Sequence, residues 1–281
     1  MTNEKNTRMP VYFIKLFRLS YFFHNFTDAH LGLASAYIPA IPLVRTNYFR
    51  MSFLVLEGLD GSGKSTQNRL LRRYLDKNNI KYKYLHFPRT GTGIFGELIA
   101  MFLRGELGEI GEVNPYLVSL IYAADREDAK KMLQAWLSDG YLVLVDRYVM
   151  SNVAFQCAKL KTDREKKQLK DWIFHLEYTR YGIPRPDLNI FLDVPFEFTR
   201  EKLTSGRSGD ERDYLKGNMD IHEADLEFQQ KVRQIYLDES KKENTLKLVS
   251  CHDEQMRMLK PEEIFQKIIG LLKRENFLIN Q

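Results

Sequence analysis

Residues Phe53 to Thr66 read FLVLEGLDGSGKST. An apolar run, Phe53 to Leu56, breaks into Gly58-Leu59-Asp60-Gly61-Ser62-Gly63-Lys64-Ser65, which satisfies G-x-x-x-x-G-K-[ST]. The context supports the motif: a buried-strand signature precedes it, and a helix-compatible stretch, Gln67 to Lys77, follows it. Glycines let the backbone curl until several N–H groups point at one anion, and the following helix adds its positive end. Lys64 supplies a point charge for the β- and γ-phosphates, and Ser65 offers a hydroxyl to Mg²⁺. The run from Gly58 to Thr66 therefore predicts a nucleoside triphosphate site, with ATP as co-substrate.

At 281 residues, 44% of them apolar, the chain can bury one substantial core plus an appendage. Its formal net charge of +5 is concentrated at one end. Residues 1–50 hold six basic side chains (Lys5, Arg8, Lys15, Arg18, Arg45, Arg50) against Glu4 and Asp28, which leaves the rest near neutrality. No basic block interleaved with aromatics occurs there, so no nucleic-acid partner is expected. No run of 18 apolar residues suggests a spanning helix. Cys157 and Cys251 lie far apart in no metal-ligand spacing and read as free thiols of a reducing compartment. A cytoplasmic location follows, or an organellar one if residues 1–50 are a targeting peptide.

That N-terminal extension is rich in Phe and Tyr, poor in acids and broken by Pro10, Pro39 and Pro42. It partly fits a presequence and fits a secretory signal badly. The favoured reading is that Met51 is the true start, with residues 1–50 poorly ordered or loosely docked and 51–281 forming one domain.

From there strand and helix signatures alternate. Strands are expected at Phe53–Leu56, Tyr82–Phe87, Tyr141–Val145, Leu188–Leu192 and Leu246–Val249, each buried on both faces. Helices are expected at Gln67–Lys77, Gly96–Arg104, Pro115–Asp139, Asp163–Tyr181, Asp225–Lys242 and Pro261–Arg274. This is an α/β pattern: a three-layer P-loop NTPase fold, with a five-stranded parallel sheet covered by helices on both faces and a mobile lid. Ligands should gather at the carboxyl ends of the strands.

The strand ends carry the remaining chemistry. After the second comes His86-Phe87-Pro88-Arg89-Thr90-Gly91, and after the third Asp146-Arg147-Tyr148-Val149-Met150-Ser151-Asn152. Arginine grips phosphate oxygens in a planar fork, which makes Arg89 and Arg147 phosphate candidates. Asp146 closes a buried strand, where a carboxylate reaches Mg²⁺ directly or through water.

FLVLEGLDGSGKST, HFPRTG, SLIYAADRE and VDRYVMSNVAFQ, in this order and spacing, resemble thymidylate kinases from residue 52 to about 275. The resemblance implies phosphoryl transfer from ATP to dTMP. It also implies that Arg89 holds the acceptor 5′-phosphate, that Arg147 sits between acceptor and donor phosphates, and that Arg126 hydrogen-bonds the thymine edge. Tyr122 would stack on the base. Asn152 and Phe155 would lie near thymine and the deoxyribose, joined by Phe87 and Ser151 from the same segments, and Asp60 near the 3′-OH and reacting phosphates. The family is typically a homodimer. Because the phosphate loop holds no basic x residue, the missing charge is expected from a lid at about 202–217, with Arg207 and Arg212 as candidates.

A phosphate monoester acceptor is already mostly dianionic at neutral pH, so no general base is needed; the obstacle is repulsion between two polyanions. Lys64, Arg147, Asp60 and a lid arginine form the expected catalytic set. A deoxynucleoside kinase of similar fold would need a catalytic carboxylate near the arginine after the second strand, and Phe87-Pro88-Arg89-Thr90 supplies none. A non-catalytic nucleotide-binding module is the other alternative, and the intact motif residues count against it.

Overall fold

The computed structural model describes residues 52–204, 214–216 and 220–278. Five parallel strands, β1 (Phe53–Gly58), β2 (Tyr82–His86), β3 (Leu142–Asp146), β4 (Leu188–Asp193) and β5 (Leu246–Ser250), lie in the order β2-β3-β1-β4-β5. Phe53 aligns with Val143 on one side of β1, and Leu54 with Leu188 on the other. Helices connect the strands: α1 (Lys64–Lys77), α2 (Gly93–Leu103), α3 (Pro115–Asp128), α4 (Lys130–Ser138), α5 (Val149–Cys157) and α6 (Asp163–Phe174). After β4 come α7 (Phe196–Thr204), the single turn α8 (Ile221–Ala224), α9 (Leu226–Glu239) and, past β5, α10 (Pro261–Arg274).

Alternate residues of a strand face opposite sides, and β1 feeds both layers. Leu54 and Leu56 pack with Leu71 and Leu75 of α1 and with Ile264, Ile268 and Leu272 of α10. Phe53 and Val55 pack against Leu133, Val153, Leu169 and Ile173 of α4, α5 and α6. The central strands β1, β3 and β4 are buried throughout. The two edges differ from the expectation: β2 is half-buried to exposed, and β5 is buried at only two of its positions. Each edge strand has a neighbour on one side only, so solvent reaches its outer flank. Cys157 and Cys251 are both free and buried.

Helix limits follow local chemistry. Asp225 caps α9, accepting from the Phe228 N–H at 2.9 Å, and Pro261 opens α10. The long helix expected at Pro115–Asp139 divides at the buried Ala129, which lets α4 turn and pack on β3. The one expected at Asp163–Tyr181 starts on a Thr162/Glu165 capping box but widens to a π-helical turn over His175–Tyr181, closed by Gly182 at φ 64°. The run after β3 that carries Ser151, Asn152 and Phe155 is itself a helix, α5.

The chain leaves β1 toward β2 and leaves β3 in the opposite sense, toward β4, although β1 and β3 are neighbours. Their following loops diverge and open a crevice at the carboxyl ends, where ligands of such sheets bind.

Candidate active site

That crevice is a cavity of about 690 Å³. Its floor is the turn from Asp60 to Gln67. Gly63 adopts φ 85°, a conformation open to glycine at little cost, and delivers the chain into α1 without a side-chain cap. The first turn of α1, Lys64 to Gln67, therefore faces the cavity with its N–H ends. The Lys64 ammonium donates to the carbonyls of Gly58 at 3.1 Å and Leu59 at 2.7 Å. Leu59 turns its own side chain into the core beside Met150 and Phe191.

Asp146, at the end of β3, is buried. Its Oδ2 accepts from Asn68 at 2.8 Å and lies 3.6 Å from His86 Nδ1, while its Oδ1 is buried with no hydrogen-bond partner. Burial pushes this carboxyl up, but the hydrogen bond and charge of His86, with the charges of Lys64 and Arg147, outweigh it and hold the pKa below the ordinary 3.8. An ionised, underused oxygen in a cavity that Ser65 also lines suits a hard cation. Among the described residues no group of three or more His, Cys, Asp or Glu converges on one point. The protein would thus give few ligands and leave the others to phosphates and water, as Mg²⁺ prefers.

Arg147 follows with φ 64°, a strained setting for a residue with a Cβ. Its Nη2 donates to Asp60 Oδ1 at 2.7 Å, its Nη1 reaches Ser151 Oγ at 3.2 Å, and its guanidinium lies over the Phe155 ring at 5.1 Å. Burial disfavours its charge, but Asp60 and the other acidic groups around it raise the pKa further, so it stays a cation. Asp60 Oδ2 is held in turn by Gln229 at 3.0 Å. Glu57 anchors the group from behind: it is fully buried and accepts from the Tyr148 N–H at 3.0 Å, Ser151 Oγ at 2.5 Å and Tyr236 at 2.8 Å.

The inner wall is built from α3 and α5. Tyr122 and Arg126, one turn apart, both line it with Phe87, Asn152 and Phe155. Arg126 is bound in a fork to Glu177, Nε to Oε2 at 2.5 Å and Nη2 to Oε1 at 2.7 Å. Asn152 donates its amide to the Ser119 carbonyl and to Glu177 Oε1, both at 3.0 Å, and its Oδ1 is buried without a partner.

Arg89 sits against α3. Its Nε and backbone N–H bind the Asp125 carboxylate at 2.8 and 2.9 Å, and its Nη2 reaches the Asp125 carbonyl at 2.8 Å and Asp128 at 2.7 Å. The guanidinium is spent on two α3 carboxylates and does not line the cavity, whereas Pro88 and Thr90 beside it do. Its geometry is that of a brace between the loop after β2 and α3. Gly96 seats the same loop, since a Cβ there would come within 2.1 Å of the Arg89 carbonyl oxygen. Arg207 and Arg212 lie outside the described residues.

Several wall residues escaped the sequence reading. Glu177 is one; its only signal is its place four residues after Ile173 and eight after Leu169 on a buried stripe. Lys202, from the segment read as a lid, lines the cavity and stacks its Cβ 3.2 Å from where a Gly61 Cβ would stand. Asp220 and His222 close another side. Phe198, Met258, Leu259 and Ile264 form an apolar end that no motif marked.

A phosphate loop at a sheet switch point, a buried carboxylate near its lysine and a second wall of aromatic and polar side chains are the parts of a nucleotide-directed P-loop phosphotransferase. Residues 56–259 match the family described as thymidylate kinase. The chain is 33% identical over 184 residues to the thymidylate kinase of Mycobacterium tuberculosis (strain ATCC 25618 / H37Rv), covering 65% of this chain and 83% of that protein. It is 32% identical over 225 residues to a probable thymidylate kinase of Pyrococcus abyssi, covering 79% and 96%. The solved thymidylate kinase of Candida albicans superposes with a TM-score of 0.58 at 26% identity, over 82% of this chain and 96% of that one. The chain belongs to the thymidylate kinase family.

Proposed function

We propose that this chain transfers the γ-phosphoryl group of ATP to the 5′-phosphate of dTMP, giving ADP and dTDP for dTTP synthesis. The observation that carries the reading is the Asn152 Oδ1: a buried acceptor without a partner, in the same cavity as the phosphate loop. Thymine N3–H is a donor of the right kind for it, and the Arg126 guanidinium beside it suits the O4 edge. Tyr122 gives the ring a face to stack on, and Phe155 crowds the sugar. The apolar end at Phe198, Met258 and Leu259 suits the adenine of ATP.

Bringing the two nucleotides together sets like charges side by side. At 4 Å, with an effective dielectric of about 20, each pair of unit charges repels by about 4 kcal/mol. Lys64 and the α1 N-terminus receive the donor phosphates, and Arg147 bridges toward the acceptor. Asp60 and Ser151 hold the Arg147 fork in place, so alignment is built in before substrate arrives. Ser65 and Asp146 would hold Mg²⁺, which when bound offsets phosphate charge. No side chain is asked to take a proton from the acceptor, because the phosphate oxygen is already ionised.

The stretch at about 202–217 is read as a lid that excludes water on closing, with Arg207 and Arg212 as its candidate cations, and Lys202 lines the cavity beside Gly61. We assign a homodimer through α2 and α3, where Ile94, Phe95, Leu117 and Leu120 are exposed apolar side chains. Among the described residues no helix is long and apolar enough to cross a membrane, and a cytoplasmic site of action is proposed. An ADP-release assay with dTMP, dUMP, thymidine, CMP and UMP tests the activity. Turnover of dTMP well above thymidine and CMP is expected. Turnover of thymidine alone would make it a nucleoside kinase, and none with any acceptor a binding module.

A further inference from the structure

We infer that Glu177 is the positioning residue that sets base selection in this pocket, and the inference rests on the dTMP kinase reading above. A carboxylate accepts hydrogen bonds and donates none. Both Glu177 oxygens are engaged, by Arg126 Nε and Nη2 and by Asn152 Nδ2. Each neighbour must therefore present a donor to it. For Asn152 the consequence is decisive: Nδ2 points at Glu177 and at the Ser119 carbonyl, two acceptors, and so Oδ1 must face the other way. For Arg126, the fork uses two nitrogens and leaves Nη1 for the cavity that the residue lines. The wall then offers one acceptor and one donor side by side. That pair fits the N3–H and C4=O of thymine or uracil and opposes cytosine, whose N3 accepts and N4 donates.

The same carboxylate cancels the Arg126 charge in a fully buried fork. This end of the cavity therefore lacks the net positive charge that would attract a phosphate, so the acceptor enters base first. Glu177 lies in the π-helical turn His175–Tyr181, in line with the buried Leu169 and Ile173 of the preceding helix. Such turns concentrate at functional sites.

The test is Glu177→Gln in the full chain, with kcat/KM measured for dTMP and for dCMP. Gln keeps one acceptor but sets an NH₂ among donors, so either the Arg126 fork or the Asn152 amide loses its partner there, while the Ser119 carbonyl still accepts from Nδ2. The wall's donor and acceptor are then less firmly aimed, and the dTMP/dCMP ratio is expected to fall about tenfold or more, chiefly through a loss with dTMP. A purely structural role would lower both substrates together, and an unchanged ratio overturns the inference while leaving the dTMP kinase reading standing. Should the Gln variant fail to fold, Glu177→Asp carries the test. Its carboxylate still balances Arg126 but retreats from Asn152, and the ratio is expected to fall about tenfold; no change there also overturns the inference. A wild-type chain inert toward dTMP would refute the kinase reading, and the inference with it.

Discussion

Arg147 and Asp60 are joined across the mouth of the phosphate loop, Nη2 to Oδ1 at 2.7 Å. The residue after β3 is thereby tied to the loop after β1, the two chain segments that diverge at the switch point. The tie holds the guanidinium over Phe155, 5.1 Å from the ring centroid, and in the proposed reaction Arg147 stands between donor and acceptor phosphates. Arg147→Lys keeps the charge and loses the fork. We expect kcat to fall by about 100-fold, with the KM for ATP nearly unchanged, since what is lost acts mainly as charge passes between the nucleotides. Steady-state kinetics at saturating dTMP decide it; an equal rise in KM with unaltered kcat would place Arg147 in ground-state binding.

Asp146→Asn tests the proposed Mg²⁺ role of this carboxylate. The Asn68 and His86 contacts fall on Oδ2, so an isosteric amide can keep the fold while removing the anionic Oδ1. The variant should need about tenfold or more Mg²⁺ for half-maximal rate. A Mg²⁺ titration at fixed ATP gives the answer, and an unshifted midpoint would remove Asp146 from the metal site.

Two buried groups on the cavity wall give stability opposite pH slopes. Burial, with Asp60 and Glu223 nearby, pushes the Asp220 carboxyl up to about 7. Its contribution is complete below the unfolded value of 3.8 and is lost as pH rises toward 7. Burial among Phe102, Phe155 and Phe228, then the Lys159 charge, pulls His222 down to about 3. Its contribution is complete above the unfolded 6.5 and is lost as pH falls toward 3. Between these limits the two offset each other. Thermal melts of Asp220→Asn should show stability rising with pH from 4 to 6.5 more steeply than wild type, and His222→Phe should show the reverse. Parallel curves for all three proteins would contradict both assignments.

Lys159 Nζ is buried without a hydrogen-bond partner, 4.8 Å from the Phe102 ring centroid. Burial lowers its pKa to about 7, so the contribution of this amine is complete above 10.5 and is lost as pH falls through 7. Lys159→Met keeps the stem and removes the buried charge. Denaturant unfolding at pH 7 should show a gain of about 1–3 kcal/mol, shrinking at pH 10. A loss at both pH values would mean that the ring contact outweighs desolvation.

Much of this was legible along the chain. The strand pattern marked all five β-strands, because strands covered on both faces are written as short apolar runs. The phosphate loop needs only local backbone geometry, which Gly61, Gly63 and Lys64 encode within a few positions. What stayed hidden depends on partners remote in sequence. Arg89 was identifiable as a cation after β2, but not the Asp125 and Asp128 carboxylates that bind it, 36 and 39 residues away. Arg126 and Asn152 were identifiable singly, but the acid that orients both lies 51 and 25 residues beyond them. The π-helical turn that carries it has no signature separable from an ordinary helix end.

The sequence by itself determined the α/β class, the phosphate loop and the family, since each is carried by contiguous residues acting through local conformation. Only the tertiary structure decided which cations line the cavity and which partners hold the Asn152 amide. A buried charge or amide takes its direction from whichever partner desolvation forces upon it, and packing brings that partner from elsewhere in the chain.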